Sequence, residues 1–129
     1  EAVYRREVQQ LADAARGLLA ASPPGEALHG WMRLFVDYVA TKKVIAPALG
    51  AIVGGTADLY AASGVLITGA MSLLVEQAAA AGDIRPDVDP NDLLRAVMGF
   101  TYGNTGPGWQ ESALRLIDIL MDGLRRARA

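Results

Sequence analysis

The sequence predicts an all-α fold, a single helical bundle of about six helices. Hydrophobic residues make up 52% of the chain, and its alanine- and leucine-rich stretches show helical spacing with little of the alternation typical of strands. Clusters of glycine and proline divide these stretches into segments of helical length. Residues 1–129 suit one domain, which at this length buries roughly two thirds of its unfolded surface in a single core.

The first two helices are predicted from apolar residues at intervals of three or four positions. The first helix runs from Val3 to about Ala21 and ends at the SPPG turn that follows. The second runs from Glu26 to Lys42. Its apolar side carries Leu28, Trp31, Phe35 and Tyr38 or Val39. The lysine pair that ends it fits the carbonyl pole of a helix, and phosphate binding is the weaker alternative.

The middle of the chain is predicted to hold a short helix and loop, and then a long buried helix. Between Val44 and Thr56, Pro47 and several glycines interrupt an apolar stretch, which indicates a short, poorly anchored helix. The next helix, from Ala57 to Ala81, is apolar on several sides, as expected for a helix enclosed by its neighbours. Its uncharged part is near the lower length limit for a bilayer span. Polar residues and glycines within it favour a buried helix, so no membrane contact is expected.

The segment after this helix carries clear signals for the end of one helix and the start of another. Gly82 can adopt the left-handed conformation that closes a helix, and Pro86 blocks its continuation. Asp89 can cap the next helix, Pro90 suits its first position, and Asp92 adds negative charge to the first turn. The sequence therefore predicts a helix, a short link and a capped helix.

The last two helices are predicted to run from Pro90 to about Tyr102 and from Trp109 to Arg126, joined by a glycine-rich connection. The apolar stripe of the final helix is broader than one neighbouring helix can cover, which indicates contact with another chain. Gly99 and Gly103 are four positions apart and permit close backbone approach at such a contact. Tight packing within one chain explains the same spacing equally well.

Composition and motifs give no support for catalysis, metal binding or direct DNA binding. With 12 basic and 14 acidic residues, the chain lacks the positive charge that a phosphate backbone selects. It has no cysteine, and its single histidine, His29, has no second imidazole or thiolate with which to share a metal. The segment from Asp87 to Asp92 imitates a calcium loop but lacks the glycine and the closing glutamate. No cofactor is expected, and a cofactor-free enzyme using Tyr38 or His29 is only a rival hypothesis.

Three stretches carry a family resemblance when they are taken in order. They are EAVYRREVQQLADAA at the start, WMRLFVDYVATKK in the second helix and AAAAGDIRPDVDPNDLL at the link. Together they resemble the C-terminal domain of TetR-family transcriptional regulators, and the second resembles its SbtR-like branch. The resemblance implies a cytoplasmic repressor with an effector pocket, a homodimer formed by the last two helices, and an N-terminal helix-turn-helix that is absent from this sequence. Glu1, in what reads as the middle of a helix, fits that expectation.

A group of apolar and aromatic residues could line the effector pocket that the resemblance implies. The predicted ligand-binding residues are Trp31, Phe35, Tyr38, Tyr60, Ile67, Met71, Met98, Phe100 and Tyr102. For any one of them, simple core packing is the alternative. Because the group supplies rings and aliphatic carbons but few charges, we expect a small apolar or mostly neutral effector. Arg33 or Asp37 pointing inward would change that expectation.

The homodimer is expected to use the last two helices. Its predicted contacts are Gly99, Gly103, Leu116, Ile119, Leu120, Gly123 and Leu124. The function predicted from the whole is effector sensing and dimerisation in a transcriptional regulator that binds DNA only through the absent N-terminal domain. The alternative is a non-regulatory helical interaction module or a small-molecule carrier.

Overall fold

The computed structural model describes the backbone of residues 2–52, 56–102 and 106–125, and the side chains of residues 6–40, 64–101 and 106–125. Its elements are five helices: α1 Ala2–Ala21, α2 Pro24–Ile52, α3 Thr56–Ala80, α4 Pro90–Tyr102 and α5 Trp109–Leu124. The all-α prediction is therefore confirmed. A search of the described residues finds no helix with both the length and the apolarity needed to cross a bilayer.

Helix α2 is longer than the sequence predicted. It continues to Ile52. The sequence had predicted that it would end at Lys42 and be followed by a separate short helix between Val44 and Thr56. Pro47 removes one backbone hydrogen bond and costs about 3 kcal/mol in a helix interior, but the helix-compatible residues on either side continue through it. The described residues therefore form five helices instead of about six, while residues 53–55 of the predicted loop lie outside them.

The link between α3 and α4 has the conformation that its sequence predicts. Gly82 has a φ of 78°, and the amide of Asp83 donates a 2.9 Å hydrogen bond to the carbonyl of Ala78, which closes α3. At the other end, Oδ1 of Asp89 accepts a 2.8 Å hydrogen bond from the amide of Asn91. Asp89 is thus the N-cap of α4.

The same link holds two distant parts of the chain together. Oδ2 of Asp83 accepts a 2.9 Å hydrogen bond from the amide of Gly25 in the first turn of α2. The amide of Arg85 donates a 2.8 Å bond to the carbonyl of Leu124, the last residue of α5. A glycine is required at position 25 because a Cβ there would lie 2.8 Å from the Cβ of Asp83. The link, anchored by the fully buried Ile84, therefore fixes the start of α2 and the end of α5.

Helix α2 lies at the centre of the bundle, where it packs against each of the other four helices. All the larger members of the core are apolar. The largest fully buried side chains include Trp31, Leu28, Met32, Met71, Leu74, Ile84, Ile117 and Met121. Each contributes roughly 1.5–3 kcal/mol through burial, so any displacement of α2 disturbs contacts with the whole bundle.

Candidate functional site

Two aromatic residues predicted to line the pocket lie on the buried face of α2. Trp31 is fully buried and Phe35, one turn later, is 4% exposed. Their ring centroids are 5.9 Å apart with the planes tilted by 42°, a separation typical of aromatic pairs. Nε1 of Trp31 donates a 2.9 Å hydrogen bond to the carbonyl of Leu11 on α1. The indole thus satisfies its only donor and joins α2 to α1.

Helix α3 brings two further predicted pocket residues to the same core. Ile67 and Met71 are one turn apart, and both are buried in the cluster that contains Trp31 and Phe35. Four of the predicted residues therefore belong to one apolar core cluster, which also includes residues of α4 and α5. Methionine is flexible and fills irregular space, so Met71 can adapt if the shape of this region changes.

The remaining predicted pocket residues are more dispersed. Tyr38 and Phe100 are partly buried and pack against the edge of the core cluster. Met98 on α4 is 42% exposed and is among the exposed large hydrophobic residues. The side chains of Tyr60 and Tyr102 lie outside the described residues. The pocket assignment stays a prediction, centred on the four residues of α2 and α3 that are buried in the core cluster.

The predicted dimer contacts on α5 form a stripe on one side of that helix. Leu116, Ile119, Leu120 and Gly123 follow the spacing i, i+3, i+4, i+7, which places them on one face. Ile119 is 66% exposed, whereas Leu116 and Leu120 are partly buried and Gly123 is exposed. Leu124 is 8% exposed and belongs to the core. We call the four residues at positions 116, 119, 120 and 123 the α5 stripe.

A groove of about 400 Å³ lies between α4, α5 and the α3–α4 link, beside the α5 stripe. Its apolar lining includes Leu93 and Ala96 of α4 and Leu120, Gly123 and Leu124 of α5. Its rim includes Arg85, Asp87, Asp89 and Asp92. On that rim the guanidinium of Arg85 is bonded to the carboxylate of Asp87 at 2.7 Å. Three predicted dimer contacts therefore border a groove that is open to another molecule.

Among the residues that the structure describes, nothing packs closely against Gly99 or Gly123. Both are exposed, neither has positive φ, and no atom lies within 4 Å of the position that a Cβ would occupy at either residue. A glycine within a helix costs about 1 kcal/mol relative to alanine. Gly69 on α3 is equally open, but Gly99 and Gly123 lie on the two helices predicted to form the dimer, so they fit a surface approached closely by another chain. Gly103 lies outside the described residues.

A second apolar surface lies between α1 and α3. Its groove of about 280 Å³ is lined by Ala12 and Arg16 of α1 and by Leu66, Gly69 and Leu73 of α3, among others. Beside it, Val65 is 73% exposed. None of these residues was singled out by the sequence analysis.

A polar seam joins α2 to α5 on the side of α5 away from the stripe. Oδ1 of Asp118 lies 2.6 Å from Nε2 of His29 and accepts a 2.7 Å bond from Nη1 of Arg33. Two turns away, Nε2 of Gln110 donates a 2.8 Å bond to Oδ1 of Asp37. The hydrogen bonds from His29 and then from Arg33 lower the pKa of Asp118 below its ordinary value. We call these five side chains the α2–α5 seam.

The sequence pattern indicates this seam only in part. Polar residues recur every four positions at His29, Arg33 and Asp37, which places them on one face of α2. Nothing in the local pattern names their partners, because Asp118 is 89 residues from His29. Arg33 and Asp37, considered as inward-pointing residues, instead bond to α5. Within the described ranges, no three histidine, aspartate or glutamate side chains are grouped in a way that could hold a metal ion.

Comparison with known proteins identifies relatives of this chain. Residues 23–126 match the family described as "Transcriptional regulator SbtR-like, C-terminal domain". The chain is also similar to a crystal structure of a TetR transcriptional regulator from Streptomyces coelicolor, with 42% sequence identity and a TM-score of 0.86. That similarity covers 97% of this chain and 71% of the Streptomyces chain. A search of curated proteins found no match.

Proposed function

Because the chain belongs to the SbtR-like C-terminal domain family of TetR transcriptional regulators, we propose that it senses a small molecule and forms the dimer of such a regulator. Regulators of this family generally dimerise, bind small-molecule effectors and DNA, and are generally not enzymes. In our proposal this chain supplies the first two activities. DNA binding is supplied by an N-terminal helix-turn-helix of the same regulator. The regulator acts in the cytoplasm.

The α5 stripe is the observation that carries the dimer part of the proposal. Ile119 is 66% exposed, and burying an aliphatic side chain of this size contributes roughly 1.5–3 kcal/mol. In a two-fold symmetric dimer each contact occurs twice, once from each chain, so the contribution of Ile119 is made twice. The open glycines Gly99 on α4 and Gly123 on α5 leave space for a partner helix, and Gly123 also lines the groove.

The effector part of the proposal rests on the apolar region around Trp31 and Phe35. Its described members are rings and aliphatic side chains, and the indole donor is already bonded to Leu11. Such a region favours a small, mostly neutral apolar ligand, which binds mainly by burying its surface. The ligand must displace Met71 or the rings, so it selects a changed packing of α2.

Regulation follows from the geometry that a two-fold DNA site demands. Two recognition helices must lie about one DNA turn apart to enter successive major grooves. A ligand that prefers one packing of α1 and α2 shifts the population of dimers towards one distance between the two recognition helices. The repressor function follows if the favoured separation no longer fits the operator.

Dimerisation is tested with a matched pair of charge substitutions. Ile119→Asp lies on the α5 stripe, and Val65→Asp changes a residue of similar shape, 73% exposed, on α3. By sedimentation velocity over a dilution series, wild type and Val65→Asp should be dimeric, while Ile119→Asp should shift towards monomer. A wild-type chain that stays monomeric at the highest soluble concentration contradicts the proposal.

Effector binding is tested on the same protein by thermal shift. Neutral apolar compounds and charged compounds of similar size are compared, and a binder at 100 times its Kd should stabilise the folded state by about 2.7 kcal/mol. The Trp31→Ala variant, compared with wild type under conditions in which both are folded to the same extent, should show no thermal shift with neutral compounds. A library in which only strongly charged compounds stabilise the chain argues against the apolar pocket.

A further inference from the structure

Two turns of α2 connect three parts of the molecule. Trp31 bonds to the backbone of α1 at Leu11, and Phe35 packs beside it in the core. His29, which precedes Trp31, and Arg33, which lies between Trp31 and Phe35, bond to α5. Side chains two positions apart point to different sides of a helix. The same short segment therefore faces the apolar region on one side and α5 on the other.

The contact with α5 converges on a single oxygen atom. Oδ1 of Asp118 lies 2.6 Å from the imidazole of His29 and 2.7 Å from the guanidinium of Arg33. An ionised carboxylate is an acceptor only, so both nitrogens donate. Because the two donors are one turn apart on α2, they restrict both sliding and rotation of α5. The Gln110–Asp37 bond restricts it again two turns away.

The orientation of α5 decides what a second copy meets. Asp118 is adjacent in sequence to Ile119, which is rotated by about 100° around the helix axis and lies on the outer side. Leu116 and Gly123 share that outer side. A rotation of α5 that breaks the Asp118 contacts therefore turns the α5 stripe relative to the rest of the bundle.

We propose that Asp118 is a positioning residue that couples the packing of α2 to the affinity between two copies of this chain. Its bonds to His29 and Arg33 hold α5 in the rotation that presents Ile119 to the second copy. A ligand that displaces Trp31 or Phe35 moves the segment of α2 that carries both donors, so ligand occupancy and dimer affinity are linked. This inference rests on the proposed dimer, and by reciprocity dimerisation changes ligand affinity by the same factor.

The test compares two aspartates on α5. Asp118→Ala removes the contacts with α2. Asp122→Ala makes the same chemical change one turn later, at an exposed residue, with the same gain in helix propensity. Asp118→Asn serves as a milder variant if the alanine variant unfolds. The dimer Kd is measured for each by sedimentation velocity, and the folded fraction by circular dichroism.

We expect Asp118→Ala to raise the dimer Kd about three- to tenfold, in the range that a partly exposed charged pair supports. Asp122→Ala should change it less than twofold. Arg33→Met keeps the aliphatic stem and lies on α2, yet should weaken the dimer similarly. The double variant Arg33→Met/Asp118→Ala should be no weaker than Asp118→Ala alone, because that variant already removes the bond to Arg33.

Two outcomes are distinguishable from each other. A wild-type chain that is monomeric throughout contradicts the proposed dimer itself. A wild-type dimer whose Kd is equally affected by Asp118→Ala and Asp122→Ala, or is unchanged while the melting temperature falls, overturns the coupling and leaves the dimer intact. Additive effects of Arg33→Met and Asp118→Ala on the Kd overturn it as well.

Discussion

Replacing Gly99 or Gly123 with alanine should have opposite effects on the folded monomer and on the dimer. In each monomer the new methyl group meets no atom of the described residues within 4 Å, so it introduces no clash with them. Alanine in a helix is favoured over glycine by up to about 1 kcal/mol, although both positions are near helix ends, where the gain is smaller. For a domain of this size, 1 kcal/mol corresponds to about 3–5 °C in melting temperature.

In the dimer, the same methyl group occupies space that the partner helix needs. Overpacking a close contact costs typically 1–3 kcal/mol, and two-fold symmetry introduces the methyl group twice. Even the lower figure raises the dimer Kd by about fivefold or more. Gly69→Ala is the matched control, because Gly69 is a helical glycine of α3 with equally open surroundings and lies away from the α5 stripe.

Two assays separate these effects. Urea unfolding at a concentration where the chain is monomeric reports the gain in stability, and a sedimentation dilution series reports the dimer Kd. All three alanine variants should be at least as stable as wild type, while only Gly99→Ala and Gly123→Ala should dimerise more weakly. If both dimerise as tightly as wild type, these glycines do not lie at the interface and the reasoning from open space is refuted.

Two further predictions concern the α3–α4 link and the α2–α5 seam. Asp83→Ala removes the acceptor for the first turn of α2 and should lower the free energy of unfolding by about 1 kcal/mol in urea titrations; an unchanged value would show that water replaces it. Because the pKa of Asp118 is lower in the folded chain, the unfolded state binds more protons between the folded and unfolded pKa values. The stabilisation of wild type over Asp118→Asn should therefore be present above the ordinary carboxyl range and be lost as pH falls through the lowered pKa. A difference that is constant from neutral to acidic pH would contradict this assignment.

Features decided by neighbours along the chain were predictable from sequence. Gly82 and Asp89 act through bonds to residues within five positions, so their chemistry can be read locally. The same local reasoning predicted a break at Pro47, whereas the helical backbone of α2 continues through it to Ile52. The apolar stripe of α5 could be predicted from the sequence because helical spacing alone places its residues on one face.

Features decided by distant residues were not predictable in the same way. Asp83 bonds to Gly25 across 58 positions, and Asp118 bonds to Arg33 across 85. A single sequence shows that such side chains are polar but does not name their partners. The pocket residues are also hard to predict from sequence. Trp31 and Met71 are both fully buried, and the sequence pattern is the same for residues that surround a ligand and for residues that fill a core.

The two hydrogen bonds that the α3–α4 link makes, one through the Asp83 side chain and one through the Arg85 amide, limit where this domain can accept changes in length. One extra residue between Asp83 and Arg85 would force the chain to release either the start of α2 or the end of α5. We expect insertions and affinity tags to be tolerated poorly there. The turn at residues 106–108 is the better place for them, since all three of its residues are exposed.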